Sequence, residues 1–319
     1  MIVVIGFIGT LWSFMSDTTD YAGPGPTQTT SATTAKPKPT TTQPPSKPTT
    51  PPAQTKVPAP DKNPSDLPAP RTYDEATTWM QKNPVYTKSV AIPTDCAVAP
   101  VNAQTASNAE LEKHLNDLTA CLWRVWSPPL AAVGYEMPRP PVTVYSSAIN
   151  TACGKQDDLV NAAYCPVDQR MYYGKKLYLA VPSELRNAPF TADTVLAHEF
   201  GHAVQARTGI LLAEHAWEGR GSTSKADADL FSRRTEAQAD CFAGEFTASV
   251  AAANRLTDAD LKNLRKIFYA IGDDVLRGDP DFIAGHGTGK SRQAWFTAGQ
   301  TNNQLKTCNS FTVPASQVH

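Results

Sequence analysis

The sequence predicts an α+β domain, mostly helical with a small β-sheet, behind an apolar N-terminal segment and a disordered Pro/Thr-rich linker. Three observations carry this. The composition breaks near Arg71. Two stretches between Pro141 and Pro182 are rich in β-branched and aromatic residues. From Thr191 onward the chain is dominated by helical patterning. Strands gathered before a run of helices point to segregated α+β architecture.

Residues 1–22 open with "MIVVIGFIGTLWSFM", which carries no charge before Asp17. As a helix this run spans roughly 22 Å, against a hydrocarbon core of about 30 Å. No Lys or Arg precedes it and no A-x-A cleavage site follows. It is expected as a slightly short membrane anchor or a signal-like core whose true start lies upstream. Residues 23–70 are nearly all Pro, Thr, Ala, Lys, Gln and Ser, with Val57 and Leu67 as the large apolar residues. Such a composition cannot offset its ordering entropy, so a disordered linker is expected, reaching on the order of 150 Å if extended. The folded domain is then 71–319, placed outside the cytoplasm, in the cell envelope, or secreted if the first segment is cleaved.

The formal net charge is −1. The first segment holds two aspartates and the linker five lysines and two aspartates, which leaves the domain at about −2. That balance argues against a nucleic-acid partner, which would require a basic face. Six cysteines, an even count without CxxC spacing, suit an oxidising compartment. Cys153 and Cys165 bracket a short loop and form the natural local pair; the other connectivities stay open.

Along the domain, "SNAELEKHLNDLTACLWRVW" opens with a Ser107-x-x-Glu110 capping box. Leu111, Leu115, Leu118, Leu122 and Val125 recur at helical spacing, and Pro128 and Pro129 are expected to end the helix. His114 on this helix reads as a surface or core-edge residue. Residues 141–147 and 170–182 read as strands, with a turn or bulge at Tyr173-Gly174-Lys175. Thr191 is expected to cap a helix that stops at Gly209. A second helix is expected over about 224–254, a third from Thr257 to near Gly278, and a last one over "SRQAWFTAGQ".

The chemistry centres on "LAHEFGHAVQ", Leu196 to Gln205. His198 and His202 lie one helical turn apart and project from one face, so both can grip a single zinc ion. Glu199 sits one residue round, placed to take a proton from an attacking water. A third protein ligand is needed. A metzincin would supply a histidine at position 208, where this chain has Thr208. His215 and Glu218 lie just past the expected helix stop and are weaker alternatives. Glu236, in "RRTEAQADCFAG", fits best, and Asp240 one turn later is placed to accept the second ring N–H of a zinc histidine. The bland alternative is a solvated face, with Glu236 and Asp240 salt-bridged by Arg233 and Arg234. For a developing oxyanion, His286 in "GHGTGKSR" is the candidate donor, with Arg292 and Tyr173 as rivals.

Five ordered stretches now carry a resemblance: "ACGKQDDLVNAAYCPVDQRMYY", "VLAHEFGHAVQARTG", "RRTEAQADCFAG", "HGTGKSRQAWFTAGQ" and "CNSF". Together they resemble the bacterial family of putative neutral zinc metallopeptidases over most of residues 140 to 311. The resemblance implies His198, His202 and Glu236 as zinc ligands and Glu199 as general base. It also implies Cys153–Cys165 and Cys241–Cys308 bridges, leaving Cys96 with Cys121. One departure follows "CPVDQRMYY", where the family pattern continues with an acidic residue and this chain has Gly174.

The expectation is therefore an envelope zinc metallopeptidase with a mostly helical zincin-like α+β domain, acting on a protein or peptide, cell-wall peptides included. Two other classes compete. A zinc amidase acting on peptidoglycan crosslinks would use the same metal in a different cleft. A non-catalytic zinc-containing envelope binding protein would have no need of Glu199 as a base.

Overall fold

Local capping sets where the helices begin. The computed structural model describes residues 56–319; the apolar segment expected over 1–22 and the linker up to residue 55 lie outside the described residues. The Thr72 hydroxyl accepts the Glu75 N–H and opens α1, Tyr73–Lys82. The Ser107/Glu110 capping box is formed and opens α2, Asn108–Ala131. The leucine stripe of α2 is fully buried. Contrary to expectation, Pro128 and Pro129 lie inside the last turn of α2. Pro129 cannot donate to the Val125 carbonyl, and the Ala91 N–H donates to that carbonyl instead, from a neighbouring loop.

Five short strands follow: β1 Val142–Tyr145, β2 Ile149–Thr151, β3 Gly154–Gln156, β4 Ala162–Cys165 and β5 Arg170–Gly174. The main sheet has the order β1-β5-β4, with β1 and β5 parallel and β4 and β5 antiparallel, while β2 and β3 form a separate hairpin. The strand expected to run to Pro182 stops at Gly174, and Leu177–Ala180 is a 3-10 turn. A Cβ at Gly174 would collide with the backbone carbonyls of Leu159 and Asn161. The loop before β4 thus leaves no space for a side chain at position 174.

The helical half comprises α3 Thr191–Arg207, α4 Ile210–Glu218, α5 Lys225–Val250, α6 Asp258–Ala270, α7 Asp273–Arg277 and α8 Gly289–Gln300. Phe190, not Thr191, holds the cap position of α3; Thr191 is the first helical residue and its hydroxyl donates to the Leu185 carbonyl. The helix expected from Thr257 to Gly278 breaks at Gly272, where a Cβ would strike the backbone of Gly289 at the start of α8. Helices α5 and α8 pack backbone to backbone, because Gly244 faces the Phe296 carbonyl and Gly299 faces that of Cys241. This close approach brings Arg292 of α8 onto the middle of α5.

Three disulfides link Cys96–Cys121, Cys153–Cys165 and Cys241–Cys308, with Cα separations of 5.3, 5.8 and 5.5 Å. They match the pairing that the resemblance implies and fit an oxidising compartment. Cys153–Cys165 ties the hairpin to β4, and Cys241–Cys308 ties α5 to the C-terminal turns. One large apolar core joins α1, α2, the sheet and the helical half. No helix among the described residues is long and apolar enough to cross a membrane.

Residues 56–70 depart from the expected linker. Val57 and Leu67 pack on the core and Pro70 is buried. The Asp61 N–H donates to the Arg139 carbonyl at 2.8 Å, and Arg207 donates to the Ser65 hydroxyl at 3.0 Å. Composition alone missed this strap because two apolar side chains and a few backbone bonds, supplied by distant residues, are enough to hold it down.

Candidate metal centre

His198 and His202 share one face of α3, as their four-residue spacing dictates. Glu236 reaches them from α5, which crosses α3. His198 Nε2 lies 3.2 Å from His202 Nε2 and 3.2 Å from Glu236 Oε2, and His202 Nε2 lies 3.4 Å from Glu236 Oε1. Two imidazole nitrogens and a carboxylate therefore converge on one point. This is the donor set of catalytic His2Glu zinc sites, and three protein ligands leave a position open.

Each ring is turned by a second contact. His198 Nδ1 lies 2.8 Å from Asp240 Oδ1, and Arg292 grips the same carboxylate through Nε at 2.9 Å and Nη2 at 2.8 Å. Asp240 and Arg292 are both buried. His202 Nδ1 lies 2.8 Å from Gln205 Oε1, whose amide donates to the Thr235 carbonyl at 2.8 Å and to Gln238 Oε1 at 3.1 Å. Both rings thus present Nε2 to Glu236. Gln205 and Gln238 escaped the sequence reading. The three-residue spacing from His202 was a usable signal for Gln205; nothing local marked Gln238.

The charges are strongly coupled. Burial alone would push His198 down, but the hydrogen bonds and charges of Asp240 and Glu236 hold the metal-free imidazole at about 10. Burial likewise opposes the charged form of Glu236, yet the two histidines outweigh it and keep the carboxyl well below its ordinary range. Burial opposes the charge of Arg292 as well, and the Asp240 carboxylate more than compensates. The bland reading of Glu236 and Asp240 fails, since Arg233 donates to the Ala284 carbonyl and Arg234 to the carbonyls of Ser310 and Val313.

Glu199 is buried on α3, and its Oε2 accepts the Tyr164 N–H of β4 at 2.8 Å. The edge strand of the sheet thereby holds this carboxylate. His286 is half-buried; its Nδ1 lies 3.1 Å from Asp273 Oδ1, and its own N–H donates to Asp273 Oδ2 at 3.0 Å. No described hydrogen bond or ion pair joins it to the histidine pair. Of its rivals, Arg292 is committed to Asp240, and Tyr173 is fully buried in β5, with burial pushing its hydroxyl far up. His215 and Glu218 sit on α4 beside Glu214, apart from the converging donors.

A helix carrying two histidines one turn apart, faced by a glutamate from a second helix and backed by a small sheet, presents a candidate two-histidine, one-carboxylate metal site. The chain belongs to the family described as "Putative neutral zinc metallopeptidase", whose model matches residues 84–311. It is similar to the uncharacterized protein Rv2575 of Mycobacterium tuberculosis, 31% identical over 205 residues, covering 59% of this chain and 66% of that protein. The chain thus spans just under two thirds of the length of that relative. The uncharacterized protein YpfJ of Escherichia coli is 28% identical over 225 residues, covering 66% of this chain and 77% of that protein. No solved structure matches.

Proposed function

We propose that the protein is an extracytoplasmic zinc metallopeptidase with His198, His202 and Glu236 as metal ligands and Glu199 as general base. The observation that carries this reading is the convergence of three donors, each ring turned by its own second contact, beside a glutamate fixed by β4. Bound zinc would supply Lewis acidity, polarising a peptide carbonyl and easing ionisation of water at the open position. Glu199, with Oε2 occupied by the Tyr164 N–H, takes the proton from the attacking water and returns it to the leaving amine. Asp240 keeps His198 oriented and Arg292 holds Asp240 in place. His286, held by Asp273, is our candidate for the donor to the oxyanion, since its two rivals are committed or buried.

The substrate we assign is a protein or peptide, cell-wall peptides included. We place the domain, 71–319 with the strap before it, in the cell envelope behind an anchoring or signal-like segment at 1–22. The test is zinc content and peptide hydrolysis for wild type, Glu236→Ala and Glu199→Gln. Loss of zinc in the first variant, and loss of activity with zinc retained in the second, is the expected result. A Glu236→Ala protein that keeps its zinc overturns the ligand set.

A further inference from the structure

A second group of donors lies one helix further on. We propose that Glu214, His215 and Glu218 of α4 hold a second divalent cation, distinct from the one at His198. His215 Nδ1 lies 3.0 Å from Glu214 Oε2 and 3.4 Å from Glu218 Oε2, and one donor atom from each residue falls within 4.8 Å of the others.

Glu214 is 1% exposed, and among the described residues its Oε1 has no hydrogen-bond partner. His215 Nδ1 is near both carboxylates yet aligned for a hydrogen bond with neither. A protonated imidazole sets one positive charge against two carboxylates and leaves Glu214 Oε1 bare, a costly arrangement at a buried position. A dication between the three satisfies them together.

Beyond His215 itself, the described residues supply no counter-charge to these carboxylates. Among the described residues no Lys or Arg pairs with Glu214 or Glu218. Arg220, the nearest cation along the chain, lies over the rings of Tyr73 and Trp217. The three donors sit in the second half of α4, whose C-terminal carbonyls favour a cation. One imidazole nitrogen and two carboxylate oxygens select a borderline ion such as Zn²⁺ or Mn²⁺ over Ca²⁺, which prefers an all-oxygen shell. Glu218 is 40% exposed at its side chain, so water can complete the shell.

The test is zinc per chain, by equilibrium dialysis of metal-free full-length protein against zinc chloride and elemental mass spectrometry. Wild type should bind about two ions, Glu236→Ala and His215→Gln about one each, and the double variant none, since each site needs its own deprotonated ligands. Equal zinc in wild type and His215→Gln overturns the proposal. If Glu236→Ala keeps two ions while His215→Gln loses one, the second site stands and the ligand set proposed above fails. Thermal unfolding guards against misfolded variants: zinc should raise the Tm of Glu236→Ala and leave that of the double variant unmoved. An equal rise in both overturns the site.

Discussion

Asp240 accepts the Arg292 guanidinium on both of its oxygens, at 2.8 and 2.9 Å, across 52 residues of sequence. The same carboxylate lies 2.8 Å from His198 Nδ1. Arg292 is thus a positioning residue for a candidate ligand that it never touches.

Removing it should be felt at the metal. Arg292→Ala leaves Asp240 as a buried charge with its main counter-ion gone, which should cost about 3–5 kcal/mol of stability. Zinc affinity should fall roughly 10–100-fold, the usual loss when a ligand's outer partner is removed. Zinc titration alongside denaturant unfolding checks both. Zinc affinity that survives intact would mean the Asp240 contact does not orient His198.

Glu199→Gln keeps the shape of the side chain and can still meet the Tyr164 N–H, but it accepts no proton. Peptide hydrolysis should drop by about 10²–10⁴-fold, with zinc content unchanged. Steady-state rates on metal-replete protein decide this. A mild loss would assign the base to another group.

His114 links α2 to the start of α3 through Nε2, 2.6 Å from Asp193 Oδ1, with both residues buried. Burial opposes its charge, but the hydrogen bond and charge of Asp193 prevail and raise it above its ordinary value. A group raised on folding stabilises fully below its unfolded pKa, about 6.5 for histidine, and that stability fades as pH rises through the folded value. The Tm gap between wild type and His114→Gln should therefore be widest near about pH 6 and shrink toward alkaline pH. A gap that widens with pH would refute the charged pairing.

The Cys241–Cys308 bridge starts one residue after Asp240 and holds the C-terminal turns against α5. Replacing both cysteines by serine should cost about 2–5 kcal/mol. It should also weaken zinc binding, since α5 carries Glu236 and Asp240 together. Calorimetry and zinc titration read the two effects separately.

The strap gives a further expectation. A chain beginning at residue 71 should unfold at a lower temperature than one beginning at 56, because it lacks Leu67 on the core and the Ser65 bond to Arg207. Equal melting temperatures would show that these contacts contribute nothing.

Much was legible in the residues themselves. The four-residue spacings of His198/His202 and Glu236/Asp240 are helix geometry, and a helix repeats every 3.6 residues wherever it sits. The capping boxes at Ser107 and Thr257 are equally local: each side chain meets a backbone N–H three residues on. Less was legible where a local rule meets a distant partner. Ala91 takes the Val125 carbonyl that Pro129 leaves free, the loop before β4 packs against the backbone at Gly174, and residues 56–70 adhere through contacts made far along the chain.

The sequence by itself determined the helical register of the candidate donors, the α+β class, the cysteine count that suits an oxidising compartment and Glu236 as the candidate for a third ligand. Tertiary structure alone decided that Glu236 meets both histidines, that Arg292 pairs with Asp240, that Gln205 and β4 hold His202 and Glu199, and that Asp273 holds His286. The physical reason is range. Periodicity and capping are short-range properties of a few neighbouring residues, whereas which faces of α3, α5 and α8 meet depends on packing across the core, where small residues such as Gly244 and Gly299 let two backbones touch.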